Sequence, residues 1–288
     1  MPTKARVCGL MLAYFKADMT YQCLQTLVNQ GIERIILVDN SANAIENQRT
    51  LALVEHFPAD WLNVIASPEN LGFANGINLA IKHAHNLGEW DYFLVLNNDI
   101  KAQTYLVAQL TEYMQLDPEI TLLGVKAKTG KGTQSGLYYQ RLTGLMFEKP
   151  TIGSFQVIPG YCLMLRANLI SNTLFDPRFF MYGEDVELSW RLQKQGIHIL
   201  DKALLTHTPS QSSQEGSFFY EYHINRGHWL LVKNLGRNAF ERTLMYTLRL
   251  PLLTLRAILR SWRFRCFVPL KALLLVSIAL PIRPPIKH

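Results

Sequence analysis

No two of the four cysteines, Cys8, Cys23, Cys162 and Cys266, stand at CxxC spacing, which argues against a disulfide framework and for free thiols in a reducing compartment. The N-terminal MPTKARVCGLMLAYF lacks an apolar run closed by a small-residue cleavage site, because Tyr14, Lys16 and Asp18 interrupt it, so no signal peptide is expected. The C-terminal apolar run, Ala272 to Ile282, has eleven residues, short of the roughly 20 that cross a bilayer as a helix. No repeat of about 20–50 residues and no low-complexity tract is present. The absence of GK[ST] and GxGxxG removes the Walker and dinucleotide fingerprints. Acidic residues are nearly missing from the end of the chain: from Lys233 onward eleven Lys or Arg face Glu241 alone, a net +10. The formal total is +7, so the preceding body is left at −3, and the two regions are expected to do different jobs.

What is present is 288 residues with 49% hydrophobic content, enough for one large core with an appendage. The boundary is placed near Asn234 to Asn238, giving a body of residues 1–235 and a tail of residues 236–288. Val7 to Phe15 reads as a buried strand, Met19 to Gln30 as a helix closed by Gly31, and Ile35 to Val38 as a second buried strand. Leu51 to His56 reads as helical and Leu62 to Ala66 as a third strand. A Gly- and Asn-rich loop from Glu69 runs into a helix reaching about Asn86. Phe93 to Leu96 is a strand buried on both faces, ending in Asn97, Asn98 and Asp99. Strands alternating with helices predict a βαβ parallel sheet. Ligands in such sheets bind beyond the carboxyl ends of the strands, so two apolar strands with polar tips, at Asp39 and at Asp99, mark either a crevice or two ordinary turns. Gly72 and Gly76 allow close backbone approach, and the helix start they open either favours an anion such as a diphosphate or is a simple helix entry. At Tyr182 to Arg191 the carboxylates of Glu184 and Asp185 open a further helix. That suits a helix cap, although three acids beside Gly183 exceed what a cap needs.

The set VDNSA (38–42), NLGFANGIN (70–78), LNNDI (96–100), IPGYCLMLR (158–166) and FDPRFFMYGEDVELSWRLQKQG (175–196), in this order, resembles family 2 glycosyltransferases of the GT-A fold, closest to the bacterial rhamnosyltransferase-type branch. The resemblance covers roughly residues 7 to 235. It implies an α/β GT-A fold, a Rossmann-like, mostly parallel mixed sheet flanked by helices, acting as an inverting transferase that moves a sugar from a nucleoside diphosphate, dTDP-rhamnose first and a UDP-sugar second. The acceptor is expected to be a lipid-linked, lipopolysaccharide or polysaccharide glycan. By the same resemblance Asp99, with Asn97 and His207, holds Mg²⁺ or Mn²⁺ on the diphosphate, hard cations that take oxygen ligands. Asn97 stands where the family's DxD motif usually has its first Asp. Tyr14, Asp39, Asn70, Gly72 and Asn98 are expected around the nucleotide sugar. Asp185 is the general base, with Glu184, Trp190 and Arg191 around the acceptor and Arg191 pairing back to Glu184. Arg226 is a candidate phosphate contact, and the loop-rich stretch from Gly124 to Val157 is assigned to acceptor recognition.

The tail needs no family to be read. On a helix at 100° per residue Arg242, Arg249, Arg256, Arg260 and Arg263 share a narrow stripe, opposite Leu244, Leu248, Leu255, Ile258 and Trp262, with Pro251 either dividing the helix or opening its second part. This predicts a helical, membrane-associating appendage that lies on anionic lipid as a peripheral or monotopic attachment, and the resemblance implies that the surface is the cytoplasmic face of a bacterial inner membrane. Packing on the catalytic domain and a homodimer interface are the alternatives, and nucleic-acid binding is not expected. A non-catalytic GT-A-like scaffold on the membrane remains as a second functional class.

Overall fold

The structure is a computed structural model that describes residues 5–130, 132–134, 136–208 and 215–279. Strands β1 (Val7–Ala13), β2 (Arg34–Asp39), β3 (Leu62–Ala66) and β4 (Tyr92–Asn97) alternate with helices α1 (Ala17–Gln25), α2 (Ala44–Leu51) and α3 (Gly72–Leu87). They pair in parallel in the order β3-β2-β1-β4. After β4 come β5 (Ile100–Ala102), α4 (Leu106–Leu116), β6 (Leu122–Thr129), β7 (Gly132–Gln134), β8 (Leu137–Gln140), β9 (Met146–Phe147), β10 (Ser154–Val157) and β11 (Cys162–Arg166). Helix α5 (Glu184–Leu192) and β12 (Ile197–His207) follow, and then α6 (Phe218–Leu235), α7 (Ala239–Phe264) and α8 (Val268–Ala279). Strand β11 runs antiparallel between β4 and β6, and β12 continues the sheet to β5, so the sheet is mixed rather than wholly parallel.

Alternation along β4 divides the core. Phe93 and Val95 join the cluster packed by α3, α5 and α6, while Leu94 and Leu96 join the cluster packed by α1 and α4. A strand covered on both faces has no position for a charge until it ends, and this fixes where the polar residues appear. In register, Ala13 lies opposite Asp39, and Leu12 opposite both Val38 and Asn97. The tips of β1, β2 and β4 therefore finish level along one edge.

Several boundaries differ from the sequence expectations. Helix α1 ends at Gln25 and the chain reaches Gly31 through turns, closed by the Thr26 hydroxyl on the Cys23 carbonyl at 2.7 Å. Helix α2 begins at Ala44 because Asn43 caps it, its Oδ1 accepting from the Ile45 and Glu46 N–H groups, and Ala52–His56 is a 3₁₀ turn. The stretch expected to be loop-rich carries β6 to β10, including a small antiparallel sheet in the order β10-β8-β9.

The largest correction concerns the arginine stripe. Its middle faces inward while Arg242 and Arg263 at its ends stay exposed: Arg249 is fully buried and donates to the carbonyls of Arg141, Leu142 and His228. Arg256 and Arg260 both bind Glu221 on α6, whose side chain has no exposure. At the start of α7, Arg141 holds Glu241 at 2.7 Å. Leu253, Ala257, Ala272, Leu273 and Val276 join the same core as Trp229 and Val232 of α6. Leu255, Ile258 and Trp262 are left exposed. The physical reason is that guanidinium groups satisfy carbonyls and a buried carboxylate that Leu and Trp could not. Pro251 does not divide the helix; it lies inside α7 on an exposed position, where the carbonyl it leaves unbonded faces water. No helix among the described residues is long and apolar enough to cross a membrane.

Glu221→Gln removes the charge that both arginines share. The loss expected is about 2–4 kcal/mol, below the figure for fully buried pairs because both arginines keep some solvent. Urea unfolding of the two proteins, compared at equal m-value, measures it.

Candidate active site

The level tips of β1 and β4 open into a cleft of about 800 Å³. Tyr14, Asn70, Gly72, Asn97, Asn98, Asp99, Glu184, Asp185 and His207 all line it. Asn98 is held by its amide, which donates to Thr20 Oγ1 of α1 at 2.9 Å, and the Asn97 N–H donates to the Tyr161 carbonyl. His207 is brought in by strand pairing. It lies opposite Ile100 in the β12–β5 register, which sets its Nε2 3.3 Å from Asp99 Oδ1. The Tyr161 ring packs 5.1 Å from the imidazole, and His207 Nδ1 is buried with no hydrogen-bond partner among the described residues.

No group of three or more His, Cys, Asp or Glu positioned for an ion occurs among the described residues. Asp99 and His207 nevertheless form a fitting donor pair, since one divalent ion can take an oxygen and a nitrogen at this separation and fill its remaining positions from a diphosphate and water. Charge supports the same conclusion. The described lining carries the acids Asp99, Glu184, Asp185 and Glu215 against one guanidinium, that of Arg263, so it supplies little positive charge of its own to a diphosphate.

The start of α3 does not serve as an anion site, contrary to the sequence expectation. The Leu71 N–H donates to Asn40 Oδ1 at 2.8 Å, the Gly72 N–H to Asn70 Oδ1 at 3.0 Å, and the Phe73 N–H to the Phe180 carbonyl at 2.7 Å. Its first donors are thus taken by the protein itself. Asn40 Nδ2 in turn donates to Asn70 Oδ1 at 2.7 Å, tying the tip of β2 to the helix. Gly72 is required here: its φ is +74°, and an added Cβ would stand 2.3 Å from the Phe180 carbonyl oxygen. Asp39 is fully buried outside the cleft lining and accepts from the Ser41 N–H at 3.0 Å. Its neighbour Asn40 takes the place on the wall.

The opposite wall is the start of α5. Gly183 enters it at φ +99° and Tyr182 at φ +67°, a tight approach that turns Glu184 and Asp185 into the cleft. Asp185 Oδ1 accepts from the Val186 N–H at 2.8 Å, and the Gly160 N–H also donates to this carboxylate. Burial pushes Asp185 above the usual carboxylate range, and these N–H groups oppose the shift. Burial, and then the charge of Asp185, push Glu184 up to about 8. The helix N-terminus favours both anions, but desolvation outweighs it for Glu184, one of whose oxygens is buried without a partner among the described residues. Burial thus favours the protonated form of both acids, and the charge of Asp185 adds to the effect on Glu184.

Three expected residues lie elsewhere. Arg191 pairs with Glu187 one turn back at 3.1 Å and donates to the Leu174 carbonyl, not to Glu184. Seven residues span two turns, whereas Glu187 at i−4 is the adjacent partner. Trp190 packs on Phe155 under the Arg141 guanidinium, outside the cleft lining. Arg226 is buried and donates to the Arg178 carbonyl. Cleft residues not anticipated are Asn40, Phe180, Phe219, Tyr220, Arg263 and Phe264. The Asn40 position directly after a strand tip was a usable signal; nothing local in the sequence brings Arg263 here.

This arrangement, a GT-A-like mixed sheet with C-terminal helices and a polar cleft at its strand tips, matches solved structures of nucleotide-sugar enzymes in fold. A mannosyltransferase from Pyrobaculum calidifontis, solved with GDP-Man and Mn²⁺, superposes with a TM-score of 0.57 at 11% identity over 96% of this chain and 87% of its own. Glucosyl-3-phosphoglycerate synthase from Mycobacterium tuberculosis, solved with Mn²⁺, UDP and phosphoglyceric acid, gives 0.56 at 13% identity over 81% and 79%. The class is a nucleotide-sugar-dependent glycosyltransferase of glycan biosynthesis. Residues 10–173, more than half of the chain, match the profile described as Glycosyl transferase family 2, and the chain belongs to that family. A low-salt glycan biosynthesis hexosyltransferase, Agl10 of Haloferax volcanii, is 21% identical over 88% of this chain and 82% of its own length. The galactofuranosyltransferase GlfT1 of Mycolicibacterium smegmatis is 25% identical over 66% of each. These relatives are hexosyl- and galactofuranosyltransferases and do not single out the rhamnosyl branch.

The raised acid predicts a pH dependence of stability. Glu184 binds its proton more tightly folded than unfolded, so its contribution is full below the ordinary 4.5 and is lost as pH rises through about 8. Glu184→Gln, which stays neutral, is expected to flatten the fall in stability between these limits. Thermal unfolding across that window, wild type against variant, reads the difference.

Proposed function

We propose that the protein transfers a hexosyl residue from a nucleoside diphosphate to a glycan hydroxyl by a single displacement that inverts the anomeric centre. The observation that carries this is the convergence of two pairs on one cleft: Asp99 with His207 on the side of β4, and Asp185 with Glu184 on the side of α5. Asp185 takes the proton of the acceptor hydroxyl as its oxygen attacks the anomeric carbon, and the bond to the diphosphate breaks with its electron pair leaving on the phosphate oxygen. A raised affinity for protons makes Asp185 a better base than an exposed carboxylate, while the Val186 and Gly160 N–H groups favour its ionised form and orient it. Protonated Glu184 donates a hydrogen bond to the acceptor. Asp99 and His207 hold Mg²⁺ or Mn²⁺, which when bound neutralises the charge building on the leaving diphosphate. Tyr14 and the Asn40–Asn70 pair border the space for the nucleotide.

Among donors, dTDP-rhamnose and UDP-hexoses are the finer candidates, and the acceptor is a lipid-linked or polysaccharide glycan at the cytoplasmic face of a membrane. The exposed apolar side of α7 supports the membrane part of this reading.

Asp185→Asn is expected to lower turnover by roughly 10²–10⁴-fold while nucleoside diphosphate affinity is retained. Release of nucleotide from the donor panel, measured beside calorimetric binding, tests it. Indifference of turnover to the change would favour a scaffold.

A further inference from the structure

Resting on the transferase reading above, we propose that Arg263 receives the phosphate of a lipid-carried acceptor whose apolar chain lies against the exposed face of α7. Three observations converge. Among the described residues lining the cleft Arg263 carries the one guanidinium or ammonium group. The other arginines of its stripe have partners in the protein: Arg242 donates to the Gly236 carbonyl, Arg249 to three carbonyls, and Arg256 and Arg260 bind Glu221. Arg263 has no hydrogen-bond or ion-pair partner among the described residues and is exposed, its guanidinium 5.5 Å from the Phe264 ring centre.

The second observation is the face beside it. At 100° per residue Phe240, Leu255, Ile258, Leu259 and Trp262 fall on one stripe of α7, and all five are exposed. Trp262 and Phe267, on either side of Arg263, are each 82% exposed. A patch of this kind on a soluble surface marks a docking site. The third observation is its charge border: Arg263, Arg265 and Lys271 stand at the same end of α7 and are exposed. Aromatic side chains next to cations suit the boundary between lipid and water, where rings enter the apolar layer and cations meet phosphate.

Placed so, α7 joins two needs of one acceptor. Its outer face accepts hydrocarbon, and Arg263, at the mouth of the cleft, meets the anionic group where the chain ends. The glycan beyond that phosphate then reaches Asp185, which lines the same cleft. The carboxylates of Glu184, Asp185 and Glu215 offer an anion no other resting point on this side. The ligand class is a long-chain lipid phosphate or diphosphate.

Flotation of the full chain with three vesicle types tests this: phosphatidylcholine alone, phosphatidylcholine with a polyprenyl phosphate, and phosphatidylcholine with phosphatidylglycerol at matched charge. Binding to the polyprenyl phosphate vesicles is expected to exceed binding to the phosphatidylglycerol vesicles by roughly fivefold. Arg263→Met removes that excess, Arg263→Lys keeps part of it, and Trp262→Ser weakens binding to all three. Equal binding to both anionic vesicle types, or an excess that survives Arg263→Met, overturns the assignment. So does weakened calorimetric binding of nucleoside diphosphate in Arg263→Met, which would put the arginine on the donor. A lipid-free dimer in sedimentation that Trp262→Ser dissociates would give the face to a second copy instead. Nucleotide binding in the wild type is read separately, so loss of the transferase reading is distinguishable from loss of this one.

Discussion

Burial of β1 and β4 on both faces is the constraint from which the site follows. Leu10, Met11, Phe93, Leu94, Val95 and Leu96 have no exposure at all, and a charge among them would have to be desolvated without a partner. Polar groups are therefore confined to the strand ends, and the parallel register brings those ends to one level. Asn97, Asn98 and Asp99 gather there beside Tyr14 and Asn40. The cost of the arrangement is a row of polar groups that must satisfy one another, and the Asn40–Asn70 and Asn98–Thr20 hydrogen bonds do so. Chemistry is left to groups that the lattice of hydrogen bonds holds without using up.

The second wall depends on a different balance. Glu184 and Asp185 are adjacent at a helix start, where the dipole favours their charge, yet burial disfavours it for both. Glu184 is raised further by the charge of Asp185, while the Val186 and Gly160 N–H groups oppose the shift on Asp185. The two acids thus share one wall of the cleft with different hydrogen-bond partners. The C-terminal helices complete the enclosure. Glu221, with no exposed surface, fixes Arg256 and Arg260, and this holds α7 so that Arg263 and Phe264 reach the cleft from a part of the chain remote from every strand tip.

Much of this was legible in the sequence because it is periodic. Apolar runs located β1, β2 and β4, the last two also by their polar tips, and the motif order located α5 and the Asp99 position. The residues that escaped did so for identifiable reasons. A strand tip does not announce which of two neighbours faces the cleft: Asp39 carries the charge, and Asn40 lines the wall. An amphipathic helix shows two faces but not which is covered. The arginine stripe of α7 looked like a lipid-facing surface because its partners, Glu221 and the carbonyls of Arg141, Leu142 and His228, lie outside the helix. The strands β7 to β10 are two to four residues long, too short to show alternation. Asn43 is a readable capping signal that marks the start of α2 at Ala44.

The central claim is that the Asp99 side of the cleft binds a nucleoside diphosphate through a divalent ion. Calorimetry of UDP, dTDP and GDP, with and without Mn²⁺, tests it most directly on wild type and Asp99→Asn. The account predicts that at least one of the three binds in the presence of Mn²⁺, more weakly in its absence, and that Asp99→Asn loses the metal-dependent part. Protein shown to be folded that binds none of them, or binds equally with and without the ion, would contradict it.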